Sequence, residues 1–294
     1  MERESYGADM TAETETHDAD AGPGPVFPRV VCGINGSRAS FAAASQAAVL
    51  AGPDADLELL AITTVGGVGR TEMAELSPQR AEASLARARA LASDAGVTPR
   101  ATLLHADDVT ETLLKAAADH DLVAVGARGA SRLAEILLGG RATALVHRAP
   151  APVLVARPLP ADAPFPGTVL VASDGSECSA RAVEIAGRIA ARGEARVVHL
   201  HVLSDGRETP AERTALARET VRLGELAGRE PVVRSERGRA SDVICDVARH
   251  VDAGLVIVGS RGRGGIKALG SVSEVVAHRA RGSVLVVRSS AAPA

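Results

Sequence analysis

Short apolar runs alternate with amphipathic segments along this chain from about residue 29 to residue 288. Runs rich in valine, leucine and isoleucine are typical of parallel strands buried on both faces, and the segments between them repeat apolar residues at helical spacing. The pattern predicts strands at 29–34, 57–62, 100–105, 122–125, 152–156, 169–173, 196–202, 232–235, 255–258 and 283–287. It predicts helices at 40–50, 76–95, 109–118, 179–191, 210–226, 241–249 and 274–279, and a helical segment that ends at His147.

The order of these elements occurs twice. Positions that correspond in the two copies are Asn35 and Asp174, Gly126 and Gly259, and Gly139 and Gly270, at offsets of 139, 133 and 131 residues. Similar offsets indicate a duplication with small loop deletions. The sequence therefore predicts a polar, acidic and disordered tail at 1–28, one domain at 29–157, a proline-rich linker at 158–167, a second domain at 168–288 and a short tail at 289–294.

Strands that alternate with helices predict an α/β fold made of two tandem, doubly wound, parallel five-stranded sheets with Rossmann-like strand order 3-2-1-4-5. Ligands of such sheets bind at the carboxyl ends of the strands where the order reverses, which here are strands one and four. Strand five ends each sheet, and an exposed apolar edge favours pairing. We expect the two copies to pair these edges within the chain, as a dimer would, and a larger homodimer stays open.

The most distinctive loop follows the strand at 255–258. It is rich in glycine and arginine, and Gly270 to Ser273 then lead into the last predicted helix. A helix start with small residues and nearby cations such as Arg261 favours an anion, most simply phosphate. The alternative is a glycine-rich surface loop with ordinary helix caps, because an isolated glycine-rich loop is a weak signal.

The charge and the aromatic content of the chain limit the classes of molecule that it is expected to bind. The formal net charge is -3 and the sequence pI is about 6.3, so nothing in the charge requires nucleic acid or an acidic membrane. Aromatic residues make up 1% of the chain, which excludes base stacking on aromatic platforms, so a bound base must lie between aliphatic side chains. Three scattered cysteines and the lack of a membrane-length apolar run predict a cytoplasmic protein.

The combined motifs resemble the universal stress protein family. The resemblance rests on Asp174-Gly175-Ser176 after a strand, on Gly259-Ser260-Arg261-Gly262, and on Gly270-Ser271-Val272-Ser273 ahead of the last strand. It covers nearly everything from about residue 29 to residue 288, as two copies. The family's ATP-binding members carry Gly-x-x-Gly, nine residues, then Gly-Ser or Gly-Thr. The resemblance implies a nucleotide-dependent sensor, with ATP and its Mg²⁺ counter-ion as ligand, and pairing through strand five.

The two copies depart from that pattern differently. Seven residues, not nine, separate Gly262 from Gly270 in the second copy. The first copy keeps the nine-residue gap but has Gly140 in place of the hydroxyl residue and Asn35 in place of the aspartate. We expect the second copy to be the tighter site. The candidate binding residues that the resemblance implies are Ala172, Asp174, Val202, Gly259, Arg261, Gly262, Gly270, Ser271, Val272 and Ser273 in the second copy, and Gly33, Asn35, Gly126, Arg128, Gly129, Gly139 and Gly140 in the first.

Several interpretations stay open. Asp174 is expected to accept hydrogen bonds from the ribose or adenine, and the alternative is that it caps a helix. His199 and His201 lie on one face of a strand without a third metal ligand, so we interpret them as core histidines, and Cys178 as a packing residue. Three functions compete: an ATP-dependent regulator with an unknown protein partner, a nucleotide-independent scaffold, and a slow ATPase. No catalytic constellation is visible, so we do not expect an enzyme.

Overall fold

A computed structural model describes residues 24–64, 77–127, 138–160, 163–203, 209–260, 262 and 270–288. In the first half the strands are β1 (Arg29–Ile34), β2 (Asp56–Thr63), β3 (Arg100–His105), β4 (Leu122–Gly126) and β5 (Val153–Ala156). The helices of that half are α1 (Arg38–Ala51), α2 (Pro78–Asp94), α3 (Val109–Ala118) and α4 (Gly140–Arg148). The second half repeats the order with β6 (Thr168–Ser173), α5 (Glu177–Ala191), β7 (Arg196–Leu203), α6 (Pro210–Ala227), β8 (Val232–Arg237), α7 (Ala240–His250), β9 (Leu255–Gly259), α8 (Ser271–Arg279) and β10 (Ser283–Val287).

All ten strands form one continuous sheet in the order β3-β2-β1-β4-β5-β10-β9-β6-β7-β8. Strands within each half are parallel, whereas β5 and β10 pair antiparallel, with Leu154 opposite Leu285. The α/β class and the tandem duplication are confirmed, and each half has the 3-2-1-4-5 order of its own strands. The expected pairing of the two strand-five edges within the chain is confirmed, and this pairing joins the two five-stranded sheets into one.

Helices cover both faces of this sheet, as strands that are apolar on both sides require. One core cluster contains residues of α1, α2, α5 and α6, and the other contains residues of α3, α4, α7 and α8. All four residues of β5 and all five of β10 are buried, so the junction between the halves lies inside the core.

A buried polar contact fixes the junction. Gln46 of α1 donates to the carbonyl oxygen of Arg157 at 2.8 Å and accepts from the hydroxyl of Ser283 in β10 at 2.6 Å. Arg157 reaches in turn from the first half to the carbonyl oxygen of Ala277 at 2.6 Å. The bonds from Ser283 to Gln46 and from Arg157 to Ala277 cross the junction, so the two halves are held by hydrogen bonds as well as by apolar packing.

The predicted starts of α1 and α5, at residues 40 and 179, are each two residues late. Ser37 and Ser176 are the N-caps of α1 and α5, and each accepts from the backbone N–H three residues further on. The predicted tail is also too long, because Val26 and Phe27 are buried, at 7% and 3% exposure. The acidic residues that suggested the tail lie outside the described residues. Within the described part of the chain no helix is long and apolar enough to cross a membrane.

Candidate functional site

The carboxyl ends of β6 and β9 lie side by side, with Ala172 opposite Val258. This is the position where the strand order of the second half reverses, and β6 and β9 send their following helices to opposite faces of the sheet. A switch point of this kind is where a ligand crevice is expected, between the turn after β6 and the start of α8.

Asp174 occupies the turn after β6. Its Oδ1 accepts from the backbone N–H of Ser176 at 3.1 Å, and Gly175 supplies the left-handed backbone at φ 73°. The helix cap is Ser176, whose hydroxyl oxygen accepts from the N–H of Ser179 at 3.2 Å. The alternative that Asp174 is the cap of α5 is therefore wrong. Its carboxylate shapes the turn and lies at the mouth of the crevice.

Asn35 has the same geometry in the first half. Its Oδ1 accepts from the N–H of Ser37 at 3.1 Å, and Gly36 has φ 75°. The amide thus reproduces the turn without the negative charge. What distinguishes the two copies at this position is charge and not backbone shape.

The glycines at the ends of β4 and β9 have a packing role. A Cβ on Gly259 would lie 2.9 Å from the Cβ of Cys178, and one on Gly126 would lie 2.6 Å from the backbone of Ala39. Each glycine lets the start of α5 or α1 approach its strand. Gly262 is different, since a Cβ there would lie 2.7 Å from Oδ2 of Asp174, which brings the loop after β9 against the candidate carboxylate.

The start of α8 offers free backbone donors. Gly270 is its N-cap and makes no side-chain capping bond, and Ser271 is exposed. Ser273 is 2% exposed, and its hydroxyl contacts the carbonyl oxygens of Gly270 at 2.9 Å and Ser260 at 3.3 Å. The expectation that the Ser273 hydroxyl takes a phosphate conflicts with these contacts, because they occupy its one proton inside the fold.

A cavity of about 450 Å³ lies between the starts of α7 and α8. The described residues that line it are Gly238, Arg239, Ala240, Ser241, Ser271 and Val272. Like α8, α7 begins without a side-chain cap, at Arg239. Ser241 is 3% exposed. Two helix starts that no described side chain caps, and a buried serine, therefore border one cavity.

Sequence reasoning missed the α7 side of this cavity. A sequence signal existed, because Gly238 and Arg239 follow a predicted strand and precede a predicted helix, as Gly270 and Ser271 precede α8. Gly238 stands outside the long glycine-rich loop, and in the structure its φ is 137°.

The other candidate residues are distributed around this centre. Ala172 and Val202 are partly buried near the ends of β6 and β7, and so can form an aliphatic wall. Gly33 lies in β1, Gly139 is the N-cap of α4, and Gly140 begins that helix in open space. Arg128, Gly129 and Arg261 lie outside the described residues.

The two histidines of β7 are core residues, as interpreted. His199 is fully buried and His201 is 5% exposed. A ring nitrogen of His201 lies 3.0 Å from the carbonyl oxygen of Ser173. Burial, and then the neighbouring His201, lower the pKa of His199 to about 4, so its ring is neutral at physiological pH. Among the residues that the structure describes, no three His, Cys, Asp or Glu side chains are placed to hold a metal ion.

A family model described as the universal stress protein family matches residues 27–157 and again residues 167–288. This chain belongs to the universal stress protein family. A universal stress protein of Mycolicibacterium smegmatis is 36% identical over 204 residues, which are 64% of this chain and 68% of that protein. One from Mycobacterium tuberculosis is 36% identical over 197 residues, 61% of this chain and 65% of its own length.

A solved universal stress protein structure supports the fold over almost the whole chain. The crystal structure of the Archaeoglobus fulgidus protein is 25% identical and has a TM-score of 0.69, covering 90% of this chain and 97% of that one. The tandem arrangement of two universal stress protein domains is therefore confirmed both by sequence and by fold.

Proposed function

We propose that this universal stress protein binds ATP in the crevice of its second half and acts as a nucleotide-dependent regulator and not as an enzyme. The observation that carries the proposal is the cavity between the uncapped starts of α7 and α8, beside the switch point of the sheet. Helix starts present N–H groups and a positive dipole end, which together favour phosphate.

The remaining parts of the crevice suit the rest of the nucleotide. In this proposal Asp174, in the turn after β6, faces the ribose, so its carboxylate accepts hydrogen bonds from the ribose hydroxyls and does not face the triphosphate at the start of α8. Ala172 and Val202 provide aliphatic surface for the base. Ser271 faces solvent at the phosphate end. Mg²⁺ is the counter-ion that a bound triphosphate brings with it, and Arg239 adds a positive charge beside the cavity.

The first half is the weaker site in this proposal. Asn35 keeps the turn but lacks the charge, and Gly140 lacks the hydroxyl that Ser271 supplies at the corresponding helix start. The binding isotherm is then dominated by one site per chain. Equal affinity at two sites would contradict this ranking.

Substitution Ser271→Asp tests the proposal, because it places a negative charge at the phosphate end. Titration calorimetry of the full chain with ATP and Mg²⁺ should show affinity reduced about tenfold or more. Gln79→Asp adds the same charge to the exposed first turn of α2 and is the matched control, with unchanged affinity expected. Equal affinity of wild type and Ser271→Asp, or absence of binding by the wild type, would refute the proposed site.

The same samples test the proposed absence of enzymatic function. ATP incubated with the protein, and then released by heat denaturation and chromatographed, should be recovered as ATP. Conversion to ADP that scales with protein concentration would instead favour an ATPase.

A further inference from the structure

A buried polar cluster lies beneath Asp174 and takes no part in the contacts proposed so far. It consists of Ser173 at the end of β6, Ser179 in α5, His199 in β7, and Glu219 and Thr220 in α6. The Glu219 side chain is 11% exposed, and its Oε2 lies 3.9 Å from Nε2 of His199. The charge of Glu219 depends on which groups of this cluster donate their protons to which acceptors.

The hydroxyl of Thr220 donates to the carbonyl oxygen of Leu216 at 2.8 Å, so toward His199 it can only accept. Nδ1 of His199, 2.9 Å from that hydroxyl, must therefore carry the ring proton. Because the ring is neutral, Nε2 is an acceptor. The hydroxyl of Ser173, 2.9 Å from Nε2, donates its one proton there.

The second hydroxyl beside Glu219 is also committed. Ser179 donates to the carbonyl oxygen of Ser176 at 2.9 Å and lies 3.4 Å from Oε1 of Glu219. A serine hydroxyl has a single proton, and the shorter contact takes it. Within the described residues Oε2 of Glu219 has no hydrogen-bond partner. If Glu219 were ionised, its carboxylate would be buried, and the hydroxyl protons of Ser173 and Ser179 would already be donated to other acceptors.

We propose that Glu219 holds the proton of a neutral carboxylic acid in the ligand-free protein, so that Asp174 carries the negative charge that the described residues place at this end of the crevice. The acid can donate to the oxygen of Ser179, which lies 3.4 Å from Oε1 and has lone pairs available. This supplies the donor that the cluster lacks, whereas an unpaired buried carboxylate is costly.

The surroundings of Glu219 agree with a neutral acid. The titratable and charged groups that face it are Asp174 from the turn after β6, and His199 and His201 from β7, while α5 contributes the neutral hydroxyl of Ser179. Burial is the largest effect and raises the pKa of Glu219, and the charge of Asp174 adds to the rise. The hydroxyls of Ser173 and Ser179 would oppose this rise only if they donated to the carboxylate, and their protons are committed to His199 and to the carbonyl oxygen of Ser176.

The first half shows that the fold does not need this cluster. By strand register, Leu59 of β2 corresponds to His199, and Ile34 of β1 corresponds to Ser173. Both are apolar and buried. The polar cluster is thus a property of the half whose crevice carries an aspartate, which connects it to the ligand site and not to folding.

A consequence for the ligand rests on the proposed function. When pH rises above the pKa of Glu219, a second negative charge appears beside Asp174. An anionic nucleotide is then bound more weakly, and the turn that holds Asp174 is disturbed. Binding of ATP is therefore linked to retention of the Glu219 proton, which makes Glu219 a positioning residue that acts through Asp174.

Carbon NMR of the full chain with labelled glutamate carboxyl groups, without nucleotide, tests the proton site. The Glu219→Gln variant identifies the resonance by its loss and keeps a neutral side chain of similar size. At neutral pH the Glu219 resonance should have the chemical shift of a protonated carboxyl group, although an ordinary glutamate, with a pKa of about 4.3, is ionised there. The chemical shift of an ionised carboxylate at neutral pH overturns the proposal.

A second measurement separates this proposal from the proposed function. ATP affinity of the wild type should fall several-fold as pH rises through the pKa of Glu219, and Glu219→Gln should remove that fall. Glu184→Gln, at an exposed position of α5, is the matched control and should keep it. A protonated Glu219 at neutral pH without ATP binding supports the proton site and refutes the proposed function. A fall in affinity that persists in Glu219→Gln overturns the link between proton and ligand.

Discussion

His199 is a buried side chain whose protonation makes the stability of the second half depend on pH. Its pKa is lowered to about 4, from an ordinary value of about 6.5, chiefly by burial. A group whose folded pKa is depressed contributes stability that is fully present above its unfolded pKa and lost as pH falls through the folded value. The sign for Glu219 is opposite, because its folded pKa is raised and its contribution is lost as pH rises.

This difference predicts acid sensitivity from His199. The free energy of unfolding should decrease between about pH 6.5 and about pH 4 by an amount on the order of 3 kcal/mol from this residue. Urea unfolding of His199→Gln, which cannot titrate, should lose that part of the pH dependence. His250→Gln changes an exposed histidine and should leave it in place. Identical pH profiles for wild type and His199→Gln would contradict the prediction.

At the scale of elements, the helix starts divide into two groups. Helices α1, α2, α3, α5 and α6 are capped by a side chain, whereas α4, α7 and α8 are not. The uncapped α7 and α8 are those that border the cavity. A side-chain cap there would occupy the N–H groups that a phosphate needs. A helix start without such a cap is therefore less stable, but its N–H groups stay available to bind a phosphate.

Substitution Arg239→Asn tests that exchange by giving α7 a side-chain cap. We expect it to raise the free energy of unfolding by about 1 kcal/mol and to weaken ATP binding. Arg196→Asn removes an equal charge at the amino end of β7, the end of the strand opposite the cavity. It should change neither the free energy of unfolding nor the affinity for ATP. Thermal unfolding and calorimetric titration measure the two effects. A variant that is stabilised but binds ATP as tightly as the wild type would show that α7 does not contact the nucleotide.

The elements were largely predictable, because their signals are local. Apolar runs located all ten strands, and the duplication located the switch point in both halves. The site was less predictable, since its contacts join distant segments. Arg239 and Ser271 line the same cavity although 32 positions separate them in the chain, and the hydroxyl of Ser273 contacts the carbonyl oxygen of Ser260. Neither arrangement can be read from the local sequence pattern.

Across the whole molecule, the junction of β5 and β10 makes one folding unit of two domains. The sheet is continuous, the strands at the junction are fully buried, and Gln46 and Ser283 join the halves. The strand-five pairing that the resemblance implies therefore occurs within one chain. The two exposed edges of the sheet are β3 and β8, at its far ends.

Continuity of the sheet predicts cooperative unfolding. Scanning calorimetry should show one transition whose calorimetric and van 't Hoff enthalpies agree, although the chain contains two domains. Loss of either half would expose the apolar edge of the other, so neither is expected to persist alone. Two resolved transitions would contradict this prediction.

The central claim is that the crevice of the second half binds ATP with its phosphates at the starts of α7 and α8. A crystal structure of the full chain with ATP and Mg²⁺ tests it most directly. We expect ribose beside Asp174 and the phosphates within hydrogen-bond distance of the backbone N–H groups near Ser271. Nucleotide bound elsewhere, or an empty crevice at saturating ATP, would contradict the account.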